Sequence, residues 1–214
     1  MGFPDKRWRR SKSRNCPGFL WIIPGLVVLL QSCAIFETPL EIVQNPATRR
    51  QLAVLEMWRM EGRVGVRRSD ESWHAGLVWR HARDFDHLTI SGPFGQGALD
   101  IQVTENYIRV TSADGKVEES RNPEQLLETI IGIAVPVPAL RYWLLGLAYP
   151  SVESDSEYDS LGRLIKLSQL GWVARYQDYQ TVQQWSVPKK LSVVNAATRF
   201  RLVIDEWRLS GSDD

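Results

Sequence analysis

The sequence predicts a mainly antiparallel β fold with helices on one face of the sheet. Three observations carry that expectation. Apolar and polar residues alternate over long runs, as in strands with one buried face. The pairs Asn45-Pro46 and Asn122-Pro123 mark helix starts, because Asn caps a helix and Pro fits its first turn. The runs are also segregated into a helix, strands, two helices and more strands, unlike the regular strand–helix alternation of a parallel fold.

Taken in order, Leu52, Leu55, Val54 and Trp58 fall on adjacent helical stripes, so the first helix is expected to reach about Trp58. The period then drops to two. Met60, Gly62, Val64 and Val66 alternate with Glu61, Arg63 and Arg67. Beyond a turn at Ser69-Asp70-Glu71, Trp73, Ala75, Leu77 and Trp79 alternate with His74, Gly76, Val78 and Arg80. These are two long strands of a hairpin. A third strand is expected over 85–91, followed by a glycine-rich loop over 92–97. Leu99, Ile101 and Val103 resume the pattern, turn at Glu105-Asn106, and continue through Ile108 and Val110 to a turn at Asp114-Gly115.

After Asn122-Pro123, Leu126, Leu127, Ile130 and Ile131 make an apolar helical face that Gly132 can end. Pro136-Val137-Pro138 breaks the chain, and a short helix over 139–145 places Leu140, Trp143 and Leu144 on one side. A polar stretch covers 151–159. Strands are expected over 163–168, 172–179, 190–194 and 199–207.

The N-terminus is of another kind. Lys6, Arg7, Arg9, Arg10, Lys12 and Arg14 precede an apolar run over 19–30, the layout of a secretory leader. Twelve residues interrupted by Pro24-Gly25 are too few for a membrane-spanning helix, which needs roughly 20. Leu30-Gln31-Ser32-Cys33 resembles the bacterial lipobox. That resemblance implies that Cys33 becomes the new N-terminus and is acylated on its sulfur and its amine. Ala34 stands where an Asp would signal retention in the inner membrane, which implies the outer membrane. The expected organisation is a leader over 1–32, a lipid-anchored tether over 33–45, an open-barrel domain over 46–208 and a tail over 209–214.

The formal charge of the 214-residue chain is +1. The leader holds six basic residues against one acidic, so the remainder carries −4. A mildly acidic chain argues against nucleic acid as a partner. Cys16 leaves with the leader and Cys33 is used for acylation, so no thiol remains for a disulfide. The core must suffice alone, and seven of the nine Trp follow Cys33. His74, His81 and His87 lack metal-site spacing and read as surface or half-buried histidines; Asp84 and Asp86 read as turn and edge residues. There is no Gly-x-x-x-x-Gly-Lys loop and no nucleophile elbow. Neither an enzyme nor a metal or cofactor is expected.

Phe94, between Pro93 and Gly95, has two readings: a ring folded onto the core, or an exposed apolar finger that marks a contact. In this setting the chain resembles the LolB family of outer-membrane lipoprotein receptors. The matching residues are Gly62-Arg63, Trp79, Gly92-Pro93-Phe94-Gly95, Ala98-Leu99, Pro136-Val137-Pro138, Leu140, Trp143-Leu144, Gly146-Leu147, Gln169, Gly171-Trp172, Tyr176, Tyr179, Pro188-Lys189 and Trp207. The resemblance implies an incompletely closed antiparallel β-barrel with an α-helical lid over an apolar cavity. It implies a monomer that takes acylated lipoproteins from a LolA-type periplasmic carrier and inserts them into the outer membrane, with Phe94 protruding to pass the acyl chains. Under that reading Trp79, Leu99, Ile101, Trp143 and Trp172 help to line the cavity; plain core packing is the other possibility for each. A lipid-anchored scaffold, or a module for another lipophile, remains open as an alternative.

Overall fold

The computed structural model describes residues 43–68, 71–92 and 97–210. Expectations for the leader, Cys33, Pro93-Phe94-Gly95 and residues 211–214 lie outside the described residues.

Helix α1 (Pro46–Ala53) begins where the Asn45 side-chain oxygen accepts from the N–H groups of Ala47 and Thr48, both at 2.9 Å. It ends at Ala53, short of the expected Trp58. Trp58 lies on strand β1 (Met57–Arg68), buried against Trp79, His81 and Trp207. A lone apolar position fits either period, and contacts with the neighbouring strands decide between them. The tether is already fixed at Gln44: its N–H donates to the Leu161 carbonyl at 2.8 Å, and its side-chain amide donates to the Ser186 carbonyl.

Strand β1 forms a hairpin with β2 (Glu71–Ala82), paired from Arg68 opposite Glu71 to Met57 opposite Ala82. Strands β3 (Phe85–Ser91), β4 (Leu99–Thr104), β5 (Tyr107–Ser112) and β6 (Val117–Ser120) add on in chain order. Helices α2 (Pro123–Ile131) and α3 (Val137–Leu144) follow. Strands β7 (Asp155–Tyr158), β8 (Leu164–Gln169), β9 (Trp172–Val182), β10 (Trp185–Val194) and β11 (Thr198–Ser210) form a second meander. Strand β11 then pairs with β1. One antiparallel sheet results, in the order β6-β5-β4-β3-β2-β1-β11-β10-β9-β8-β7. Among the described residues no ladder joins β6 to β7, so the sheet stays open along that side.

Several bounds differ from expectation for physical reasons. The edge strands β6 and β7, Val117-Glu118-Glu119-Ser120 and Asp155-Ser156-Glu157-Tyr158, show little apolar alternation. Short charged edges resist pairing with other chains and leave no hydrophobic pattern to read. Strand β10 starts at Trp185 because a bulge at Lys189 accommodates Pro188, which cannot donate to a ladder. Val137 and Pro138 are the first turn of α3, not a break before it. Strand β11 runs to Ser210 and buries Leu209 opposite Trp58, where a tail was expected from residue 209.

Inward residues of the strands and the apolar faces of the helices share one core. Helix α3 buries Val137, Ala139, Leu140, Trp143 and Leu144, whereas α2 buries only Leu127. The seam between β1 and β11 carries a bulge: Glu61 faces Glu206 and Gly62 faces Ile204, leaving Asp205 unmatched. Gly62 is required there, because a Cβ would strike the Val203 carbonyl oxygen. Gly62→Ala is therefore expected to destabilise the fold by about 2 kcal/mol through backbone overpacking, measured by chemical denaturation against Gly76→Ala, whose Cβ would meet a movable Ser91 hydroxyl.

Candidate functional site

Between the sheet and the two later helices lies a cavity of about 70 Å³. Its sheet wall is Val64 and Val66 from β1, Trp73, Leu77 and Trp79 from β2, Leu88 and Ile90 from β3, Ile101 from β4, and Phe200 and Leu202 from β11. Its helical wall is Leu127 and Ile131 of α2, Ile133 and Val135 of the connector, and Val137 and Leu140 of α3. Every one of these side chains is apolar or an indole. The volume is well below the roughly 300–1,000 Å³ of a small-molecule pocket. In this conformation the helices have closed on the sheet.

A groove of about 530 Å³ opens beside the cavity, between the β1–β2 hairpin, the start of β4 and the end of α2. Trp73, Ile90 and Ile131 line both spaces; Leu99 and Ile130 line the groove alone. Arg68, Glu71, His74, Glu128 and Thr129 form its polar rim. The groove, called the mouth below, is separated from the closed space by these three shared apolar side chains.

The sequence-derived candidates divide accordingly. Trp79 and Ile101 line the cavity, and Leu99 lines the mouth. Trp143 and Trp172 are buried but stand outside both linings. The Trp143 indole N–H donates to Gln169 Oε1 at 3.0 Å, and Trp172 packs 5.5 Å from Phe200, which itself faces the cavity. Strand parity places a side chain on the inner face without saying whether it meets the packed half of the core or the open half.

Sequence reasoning missed Asp86, which is 3% exposed and so neither a turn nor an edge residue. Its Oδ1 accepts the Trp79 indole N–H at 2.8 Å and lies 3.0 Å from His81 Nδ1. Its Oδ2 lies 3.6 Å from Arg141 Nη1 on α3. The carboxylate thus draws the one polar group of the Trp79 ring away from the cavity and ties β2, β3 and α3 together. The signal was present: Asp86 shares inward parity with Leu88 and Ile90, and His81 shares it with Leu77 and Trp79. His81 is accordingly buried, whereas His74 is exposed. Among the described residues no cluster of His, Cys, Asp and Glu could hold a metal ion.

The two lid helices are held very differently. The Tyr176 hydroxyl donates to the Trp143 carbonyl at 3.0 Å, and burial pushes that phenol far above its ordinary pKa, keeping it a donor. Gln169 also accepts from the Tyr149 N–H and donates to the Tyr149 and Val152 carbonyls, fixing the chain beyond α3. At the end of α2, Gly132 adopts a left-handed φ of 76°, and its carbonyl accepts from Arg68 Nη1 at 3.2 Å.

An open-sided antiparallel sheet wrapped on its own helices around a wholly apolar space defines a lidded, incompletely closed barrel. The family model described as "Outer membrane lipoprotein LolB" matches residues 56–207. An outer-membrane lipoprotein LolB of Nitrosococcus oceani is 33% identical over 195 residues, covering 89% of this chain and 97% of its own. The LolB of Chromohalobacter salexigens is 30% identical over 194 residues, covering 89% and 90%. A solved LolA-superfamily protein from Nitrosomonas europaea aligns with a TM-score of 0.49 at 8% identity, over 80% of this chain and 90% of that one. The chain belongs to the LolB family.

Removing the Asp86 carboxylate would leave a buried indole N–H, His81 and Arg141 facing an apolar interior. Asp86→Ala is expected to cost about 3 kcal/mol of unfolding free energy, whereas Asp205→Ala on the exposed face should change the denaturation midpoint little.

Proposed function

We propose that this chain accepts acylated lipoproteins from a LolA-type periplasmic carrier and inserts them into the inner leaflet of the outer membrane. It would face the periplasm from a lipid anchor on Cys33 and act without catalysis. The single observation that carries the reading is the wholly apolar lining of the cavity, of which Trp73, Ile90 and Ile131 also line the mouth, in a chain of the LolB family.

Exposing one methylene to water costs about 0.8 kcal/mol. A chain of ordinary length then costs on the order of 10 kcal/mol. Acyl chains therefore pass from one apolar space to another, down a gradient of affinity. About 70 Å³ cannot hold such a chain, so the space must open. The difference between the helices supports one way of opening: α3 is clamped by Tyr176, Gln169 and Asp86, while α2 buries one residue and is tied at Gly132 to the flexible Arg68 side chain. Helix α2 and the Ile133–Val135 connector swing out, and the sheet wall takes up the chain. The small closed volume on its own favours a second reading, a lipid-anchored scaffold for a protein partner.

Phe94, flanked by Pro93 and Gly95, is the residue proposed to enter the bilayer during release. Cell-free transfer of acylated cargo from the carrier to outer-membrane vesicles tests the whole reading, and a protein that leaves the cargo on the carrier would exclude it in favour of the scaffold. In the same assay Phe94→Glu should still take cargo from the carrier but insert it about a hundredfold more slowly, since an ionised side chain at membrane depth costs about 3 kcal/mol. Normal insertion by that variant would remove the role from Phe94.

A further inference from the structure

The outer face of the sheet carries a feature that the cavity does not use. A groove of about 690 Å³ crosses β11, β1 and β2 and reaches the end of β3. Its floor is small, with Gly65, Gly76, Ser72 and Ser91, and its walls carry Arg63, Arg67, Arg199, Arg201 and His74. No carboxylate is among the described residues that line it. Arg63 is held by a two-point contact to Asp205, at 3.1 and 2.8 Å. Among the described residues, Arg67, Arg199 and Arg201 form no ion pair with a carboxylate.

Folding alone gives no reason for this arrangement. Arg67 and Arg199 are directly opposite each other on paired strands, and like charges so placed are destabilising. Arg201 faces Gly65 across the same ladder, and Gly65 faces His74. A Cβ at Gly65 would come within 3.0 Å of the His74 ring, so glycine keeps the floor low between the cationic walls. A low floor between planar guanidinium groups suits a compact anion with several acceptor oxygens.

The groove shares His74, Ala75 and Gly92 with the mouth. Whatever receives acyl chains from the mouth presents its headgroups at this rim. We propose that the Arg67, Arg199 and Arg201 groove binds the phosphate of anionic phospholipid headgroups, seating the mouth against the bilayer. This rests on the reading that the mouth delivers acyl chains to a membrane.

The test uses the chain from residue 33 onward, carrying Cys33→Ala, so that neither acylation nor the basic leader can hold it on vesicles. Co-flotation is measured with vesicles of phosphatidylcholine alone and of phosphatidylcholine mixed with phosphatidylglycerol. Binding should need the anionic lipid and weaken with salt. Near an anionic surface each Arg is worth about 1 kcal/mol, so Arg199→Gln with Arg201→Gln should lower the association constant about 30-fold. The double variant should keep or raise its thermal midpoint and keep its uptake of a fluorescent fatty acid. Equal binding to both vesicles, or an unchanged double variant, overturns the proposal. So does saturable binding of inorganic phosphate to the groove in a chain that does not float with anionic vesicles, which would make the site one for a free anion. Unchanged vesicle binding with lost capture of cargo from the carrier also overturns it and assigns the face to a protein partner. Failure of the fatty acid to bind the parent chain, with lipid-selective flotation intact, would fell the cavity reading alone.

Discussion

The space between sheet and helices is apolar on every side, and keeping it so constrains the residues around it. Large rings supply much of the area, and an indole brings a donor that must be satisfied somewhere. Asp86 solves this for Trp79 by taking its N–H on the side away from the cavity, and the same carboxylate faces His81 and Arg141. Trp143 and Trp207 follow the same rule with other acceptors, Gln169 Oε1 and the Pro188 carbonyl. The Trp58 indole N–H, by contrast, is buried without an acceptor, but none of these polar groups lies on the cavity wall, which is apolar throughout. Such a wall demands no fixed polar partner from whatever lies against it.

Leaving the sheet open gives this wall an adjustable opposite side. A closed barrel would fix the interior volume through its strand number and stagger. Here α2, the connector and α3 take the place of the missing β6–β7 ladder. Helix α3 buries five residues and is clamped from the sheet side, whereas α2 buries only Leu127. The two short, charged edge strands then face helices and solvent without inviting another chain to pair with them.

Much of this was legible in the sequence. Asn45-Pro46 and Asn122-Pro123 fixed two helix starts, and Gly132 one helix end, because capping is local chemistry. Long alternating runs fixed nearly every interior strand. Edge strands escaped because their sequence answers to solubility and not to burial. Trp58 escaped because one apolar residue cannot choose between periods; its contacts with Trp79 and Trp207 choose for it. At the site, parity alone would have found Asp86 and His81 inside, but their charge suggested the surface. The division of Trp79 from Trp143 and Trp172 depends on where the helices land, and no single strand encodes that.

The pairing of β1 with β11 has a consequence for the order of events in the chain's life. Among the described residues, the first strand is bonded along its length to the eleventh. Each meander can zip from local hairpins, but the join between them waits for residue 210. Contacts so distant in sequence form late and slowly. A chain still lacking β11 has no seam and therefore no sealed core. The fold thus postpones its own completion until both meanders are present, which ties the sealing of the apolar core to the arrival of β11.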